Sequence, residues 1–343
     1  MDTTTIAVDL AKSVFQVAVS NHPGHVSENH RLSRPKFMKF FAQHQPATVI
    51  LETCSSAHHW ARQLQDLGHS VVLLPPHAVH PYVTGNKTDP ADAKGLLEAF
   101  RNKDIHPVPI KSVDQHVLMS LHRFRCAYMA QKTARINATR GILREIGIFI
   151  PKGAAKVIPT IHDLIAGDHS ELPPALHPLL SEACAEIEDL KVRIRDIERQ
   201  IRFLAKESNI IKHLLSVPGI GLLTATALVA FVGDISRFPS GRHFASYLGL
   251  TPREHSSGLR RHLGSISKRG DSYIRMLLIH GARSVLWAAK RSKSPDRLRS
   301  WALEIERTRG HNKAAVALAN KLARIAWATW IDDRDFVSKR EVN

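Results

Sequence analysis

Cysteine is scarce. The chain has three in 343 residues, Cys54, Cys126 and Cys184, far apart and without metal-ligand spacing. That excludes a disulfide framework and a thiolate metal centre, and leaves three small core side chains in a reducing compartment. Long apolar runs are absent as well, with nothing approaching the roughly 20 residues that cross a bilayer, so no membrane partner is expected. Met1-Asp2-Thr3-Thr4-Thr5 lacks the basic start of a secretory signal, which points to the cytoplasm. The 21 histidines are scattered; His58-His59 and His77/His80 lie close in sequence, yet no four-ligand zinc spacing forms. Negative charge is also short: 31 Asp+Glu face 48 Lys+Arg, a net of +17. Such a balance implies a polyanionic partner, nucleic acid or an anionic membrane surface, and nucleic acid is the expected one. The excess is uneven, since residues 251–343 carry 20 Lys+Arg and 9 Asp+Glu, or +11 of the total.

A chain of this length can bury two cores. Residues 1–105 alternate strand and helix signals. Ile6–Val8 and Val14–Val19 read as a hairpin turning near Ala11-Lys12, with a third strand near Val26–Leu32. Pro35 opens a helix, Thr48–Leu51 is a strand, Ala57–Leu67 a helix ended by Gly68, and Ser70–Leu74 a strand. A helix from Pro90 to about Arg101 closes a unit of α/β class with a mixed sheet, in the order of a ribonuclease H-like fold. Residues 112–147 read as one long helix. From Leu180 the apolar residues Ala183, Ile187, Leu190, Ile194, Ile197, Ile201 and Leu204 make a heptad seam. Its partner is either the 112–147 helix or a second chain. Val217-Pro218-Gly219-Ile220-Gly221 then joins two helices in a turn that resembles a helix-hairpin-helix grip on the DNA backbone, and equally an ordinary turn. The expected domains are 1–105, a helical coiled-coil segment at 106–210, and an all-α C-terminal domain at 211–335.

Four acids are placed to work together. Asp9 and Glu52 are each the first acid after a short β-rich run, which puts them at the carboxyl edge of a sheet. Asp89 and Asp92 flank Pro90 on one face of a helix start. Converging carboxylates hold Mg²⁺ against phosphate oxygens. Taken singly, Asp89 and Asp92 equally fit helix capping, and a strand-end Asp a turn; the joint pattern in a basic protein raises the metal reading.

Residues 249–270 form a polar, basic stretch, expected as a loop or short hairpin on phosphates. A nucleophilic serine needs a base or an electropositive site. Arg253, Arg260, Arg261 and Lys268 supply such a site, and by that criterion Ser256, Ser257, Ser265 and Ser267 are equal candidates.

Several motifs in order carry a specific resemblance over nearly the whole chain. They are Ala7-Val8-Asp9-Leu10-Ala11-Lys12, Leu51-Glu52-Thr53-Cys54 with Ala57-His58-His59-Trp60-Ala61, and Gly85-Asn86-Lys87-Thr88-Asp89-Pro90-Ala91-Asp92-Ala93. Val217-Pro218-Gly219-Ile220-Gly221, Leu248-Gly249-Leu250-Thr251-Pro252-Arg253 with His255-Ser256-Ser257-Gly258, and Ile266-Ser267-Lys268-Arg269-Gly270 follow. The chain resembles transposases of the insertion-sequence-110 family, within it the insertion-sequence-1111 subgroup, DEDD-type recombinases related to Piv invertases. The resemblance implies a RuvC-like domain in which Asp9, Glu52, Asp89 and Asp92 bind Mg²⁺, with Mn²⁺ able to substitute. It implies a nucleophilic Ser257, with the adjacent Ser256 one register away. It further implies donor and target DNA as substrates, a non-coding guide RNA from the element itself, and a bacterial, nucleoid-associated protein. Nothing in the composition shows the RNA, since a basic surface serves DNA or RNA equally. Lys12, Lys87, Arg253, Arg260, Arg261, Lys268, Arg269, Arg275 and Arg283 are the expected nucleic-acid contacts. A homodimer or tetramer is expected to assemble through the heptad helix. Two other readings stay open: a RuvC-type nuclease that uses water without a covalent intermediate, and a non-catalytic nucleic-acid-binding protein.

Overall fold

The computed structural model describes residues 4–22, 25–83, 89–167, 172–258 and 260–338, with Asp89 and Pro90 described by backbone alone. The chain forms two compact units, residues 1–112 and 113–343. No helix among the described residues is long and apolar enough to cross a membrane.

The first unit is built on a five-stranded mixed sheet. Its strands are β1 (Thr5–Leu10), β2 (Val14–Ser20), β3 (Glu28–Ser33), β4 (Thr48–Glu52) and β5 (Ser70–Leu74), in spatial order β3-β2-β1-β4-β5. β1, β2 and β3 pair antiparallel, while β4 lies parallel to both β1 and β5. Both faces of the sheet are covered, which is why β1, β2 and β4 read as nearly continuous apolar runs. On one face, α1 (Arg34–Gln43) and α2 (Ala57–Asp66) bury Ile6, Val8, Phe15, Val17, Val49 and Leu51. There Phe15 meets Phe37 and Trp60 edge-on, with centroids at 4.7 and 5.1 Å. After the short α3 (Pro76–Val79), α4 (Asp89–Arg101) covers the other face, setting Ala93, Leu96 and Leu97 on Ala7, Ala18 and Ile50. The small side chains at positions 7 and 18 let the helix lie close to the strands.

In the second unit α5 (Val113–Glu145) pairs with α7 (His177–Ala205), and α6 (Val157–Ala166) caps one end of the pair. Arg125 meets Glu198 at 2.7 Å and Arg135 meets Glu186, so residue numbers rise on one helix as they fall on the other and the pair is antiparallel. Ala183, Ile187, Ile194, Ile197 and Ile201 of the heptad seam are buried, and α5 is the element against which α7 packs most extensively. The seam is thus satisfied within the chain.

The remaining helices, α8 (Asn209–Leu215), α9 (Leu222–Val232), α10 (Gly241–Tyr247), α11 (Ser272–Arg291), α12 (Arg297–Arg309) and α13 (His311–Ile331), share one large apolar core. The Pro218-Gly219 turn between α8 and α9 presses against α11, backbone to backbone. A Cβ on Gly281 would stand 2.0 Å from the Gly219 carbonyl oxygen, and Gly219 itself has φ +85°, so both positions require glycine.

One histidine ties three helices together. His122 of α5 is fully buried; its Nε2 lies 3.0 Å from Thr226 Oγ1 of α9 and its Nδ1 3.0 Å from Tyr273 Oη of α11. The Thr226 hydroxyl donates to the Leu222 carbonyl, so it accepts from Nε2–H, and Tyr273 donates to Nδ1. The ring is therefore neutral, and burial, with Arg125 nearby, pushes its pKa down to about 4.

Two outcomes are expected from these contacts. Ile194→Asp buries an unpaired charge in the α5–α7 seam and should destabilise the protein by several kcal/mol, on the order of 3. Thermal unfolding checks this; a variant that stays fully stable and only becomes smaller by light scattering would move the seam to an interface between chains. Between pH 6.5 and about 4, the unfolded chain takes up a proton at His122 that the folded chain refuses. Stability should therefore fall as pH drops through that window, and His122→Gln should make the decline shallower in urea melts, though less stable overall.

Candidate active site

One candidate site, in the first unit, follows from strand register. β1 and β4 run parallel with Thr5 beside Thr48 and Val8 beside Leu51, so the next residue on each strand is an acid, Asp9 and Glu52. Side chains alternate along a strand. Ala7 and Ile50 face α4, and two residues on, Asp9 and Glu52 face the same side. Adjacent strands are about 4.8 Å apart, which brings the two carboxylates to one edge of the sheet, both half-buried. Asp92 is half-buried in the first turns of α4, next to Ala93, which packs on that same face. Asp89 is the first residue of α4, and its side chain lies outside the described residues. So do Lys87 and the rest of the stretch 84–88. Among the described residues no three His, Cys, Asp or Glu side chains converge as a ready metal cage. Gln16 is absent from any reading of the sequence, where it is one polar residue in an apolar strand. The antiparallel register sets it opposite Asp9, and it is buried. Lys12 is exposed in the turn between β1 and β2.

A separate candidate site lies in the second unit. β6 (Pro252–Glu254) and β7 (Leu263–Ile266) form a two-stranded ribbon from the basic stretch. Its base is fastened to the helical core. A Cβ on Gly270 would stand 2.0 Å from the Tyr247 carbonyl oxygen, and Gly249 has φ +70° with the Lys268-Arg269 backbone against it. Arg275 of α11 donates from Nη1 to the carbonyls of Leu248 (3.1 Å) and Gly270 (3.2 Å), so its guanidinium is spent at least in part on holding the ribbon. Arg253 donates to the Ser267 carbonyl at 3.3 Å.

The tip of the ribbon is exposed and tight. The amide of Ser257 donates to the Arg260 carbonyl at 3.3 Å and the amide of Arg260 returns to the Ser257 carbonyl at 3.1 Å, around Gly258 at φ +56°. The two serines that the sequence leaves equal now differ. The Ser256 hydroxyl donates to Glu254 at 2.7 Å and accepts the His262 amide at 3.1 Å, so it is part of the ribbon's own bonding. That bond, with Arg261 beside it, holds the Glu254 carboxyl below its ordinary pKa. Ser257 is exposed, and its hydroxyl has no hydrogen-bond partner among the described residues. Arg260, Arg261, Lys268 and Arg269 are exposed around it in the sequence, and Glu254 is the single acid between 251 and 270. Arg283, on α11, is exposed and reaches Asn312 at 3.4 Å.

Chemically, one unit offers hard oxygen donors at a sheet edge, a set suited to a divalent cation. The other offers an exposed hydroxyl amid guanidinium and ammonium groups, a setting suited to a phosphodiester.

Comparison with known proteins shows the family. Residues 6–148 match the DEDD-type transposase family of the IS110 group, described as "Transposase", and residues 211–298 match the "Transposase IS116/IS110/IS902 family". A Pseudomonas aeruginosa protein named "Probable family 20 transposase" is 42% identical over 96% of this chain and 97% of its own length. The transposase for insertion sequence element IS1111A of Coxiella burnetii is 35% identical over 95% of this chain and 89% of its own. The transposase for insertion sequence element IS1328 of Yersinia enterocolitica is 36% identical, over 94% and 96%. Matching such relatives nearly end to end, the chain belongs to the IS116/IS110/IS902 family of insertion-sequence transposases.

Proposed function

We propose that this transposase cuts and rejoins DNA through a phosphoserine formed on Ser257. The observation that carries the reading is the difference between the two serines: Ser256 is bonded into the ribbon, and Ser257 is exposed at its basic tip. The Ser257 oxygen attacks the scissile phosphorus and its proton passes to solvent. The bond from phosphorus to the 3′-oxygen breaks, leaving a 5′-phosphoserine and a free 3′-hydroxyl. The 3′-hydroxyl of another strand then attacks the phosphoserine, releasing Ser257. Arg260, Arg261, Lys268 and Arg269 grip the flanking phosphates, with Arg253, Arg275, Arg283, Lys12 and Lys87 as further contacts. The Pro-Gly turn before α9 is a second backbone grip of the helix-hairpin-helix kind, with Gly221 exposed at the helix head.

Asp9, Glu52, Asp89 and Asp92, in a RuvC-like domain whose strand order is compatible with that fold, would hold Mg²⁺. An ion held there would supply positive charge to a phosphate oxygen. Asp9 and Glu52 fit this role as hard oxygen donors on one sheet edge; Gln16, beside Asp9, helps to orient it. Donor and target DNA are the substrates, and an element-derived guide RNA and a dimer or tetramer complete the proposed assembly. With the heptad seam occupied within the chain, the outer faces of α5 and α7, where Phe124 and Phe203 are exposed, are the surfaces left for self-association.

A second reading rests on the 2.7 Å bond from Ser256 to Glu254, the contact by which a carboxylate takes a proton from a nucleophile. Labelled element DNA incubated with the full protein, Mg²⁺ and element RNA, then run on a denaturing gel, separates the readings. Ser257→Ala should lose the covalent protein–DNA adduct and keep DNA binding, while Ser256→Ala keeps the adduct. The reverse pattern assigns the chemistry to Ser256, and cleavage without any adduct assigns it to water in a RuvC-type nuclease. Omitting the RNA should abolish target choice. In the same assay Asp9→Asn and Asp92→Asn should each lower cleavage by about 100-fold or more, with unfolding temperatures near that of the parent. Full activity in both variants would remove the carboxylate site.

A further inference from the structure

The solvent face of α11 carries a feature of which the cutting chemistry uses only Arg283. Met276, His280, Arg283, Trp287 and Arg291 recur at steps of three and four and share one side of the helix. Ile274, Leu278, Ala282, Val285 and Ala289 are buried on the opposite side. α11 contains no Asp or Glu, and among the described residues neither Arg283 nor Arg291 is paired with a carboxylate. Lys290, at the edge of this stripe, is by contrast neutralised by Glu306 at 2.9 Å.

Trp287 is the unusual member. It is 59% exposed, although the Arg291 guanidinium lies 3.5 Å from the centre of its ring and covers one face. Among the described residues no other ring or cation stacks on it, which leaves its second face as an aromatic surface with a cation behind it. An indole left open to water forgoes the burial that usually places tryptophan in a core. Flanking guanidinium groups and the absence of acids suit a phosphate backbone. An open aromatic face suits a base, but only one that has left the duplex, since paired bases already stack on each other. From Met276 to Arg291 the stripe runs roughly 22 Å at 1.5 Å per residue, enough for a few nucleotides.

We propose that the outer stripe of α11 holds an unpaired segment of DNA, with one base stacked on the free face of Trp287 and its phosphates on Arg283 and Arg291. The inference rests on the reading of a DNA-cutting transposase, because strand exchange is what frees a strand from its complement. The bend of the chain supports the route: α11 begins directly after the ribbon that bears Ser257, and Arg275 fastens the two together. A protein partner is the less suitable occupant, as the stripe offers one aromatic and one thioether among cations rather than a set of aliphatic anchors.

The test uses the full-length protein and a fluorescent thymidine oligomer of about 12 nucleotides, within the size of single-strand sites, with a duplex of equal length and a uridine oligomer as further arms. Trp287→Ala should weaken single-strand DNA binding by roughly 5- to 150-fold, leave duplex binding unchanged, and leave the slope of log affinity against log salt unchanged. Trp287→Phe should recover most of the loss. Arg283→Ala with Arg291→Ala should instead lower that slope, by about 1.4 for two phosphates on a single strand. Unaltered single-strand binding in Trp287→Ala, equal loss on the duplex, or loss confined to the uridine oligomer each overturns the proposal. Ser257→Ala should bind the single strand normally, so loss of the adduct judges the serine chemistry alone and loss of single-strand binding judges Trp287 alone.

Discussion

The parallel pairing of β1 with β4 is the constraint from which the first unit follows. It joins a strand near the start of the chain to one more than forty residues later, in a register that puts Val8 beside Leu51. One residue further, the same register puts Asp9 beside Glu52. Two neighbouring carboxylates repel each other, and a sheet that ends in such a pair carries an electrostatic penalty unless a cation or donor offsets it. Moving either strand by one residue would turn its acid to the opposite face, among Ile6, Val8 and Leu51, where no polar group could be satisfied. The apolar alternation of the strands and the position of the acids are therefore one requirement. The small Ala7 and Ala18 belong to it as well, because they let α4 approach the face on which the acids stand.

The second unit separates rigidity from exposure. The basic ribbon is anchored at its base by glycine contacts too close for any Cβ and by the Arg275 bonds to two carbonyls. Its tip is held only by local bonds, the Ser257–Arg260 pair and the Glu254–Ser256–His262 chain. Exposed interactions of this sort contribute little to stability, but they set the shape of the turn. The ribbon thus combines a fixed base with an accessible end. The His122 network has the complementary role. It is buried, fully bonded and joins α5, α9 and α11, so it orders the packing of those three helices.

Much of this was legible in the sequence, and the reason is local chemistry. The alternation of apolar residues marked the strands, Pro35 and Gly68 marked helix ends, and the heptad spacing marked α7, because each of these signals acts within a few residues. The ribbon was legible as a basic, glycine-containing stretch. The occupant of the heptad seam was not. An apolar stripe states that it must be covered and is silent on what covers it, and here α5 does so within the same chain. Gln16 was equally hidden, because its place opposite Asp9 depends on an antiparallel pairing.

The chain by itself determined the elements, the charge excess, and the acids and serines that its family motifs bring to notice. Those properties depend on residue type and on spacing within one element. Tertiary structure alone decided which residues became neighbours across the chain. It aligned Asp9 with Glu52, closed the α5–α7 seam, and brought Gly219 against Gly281. It also made Ser256 different from Ser257, although the two are chemically identical and adjacent. One hydroxyl was placed where a carboxylate and an amide could take it, and the other was turned to solvent. Hydrogen bonding is directional, so a difference that composition cannot express was fixed by the path of the backbone.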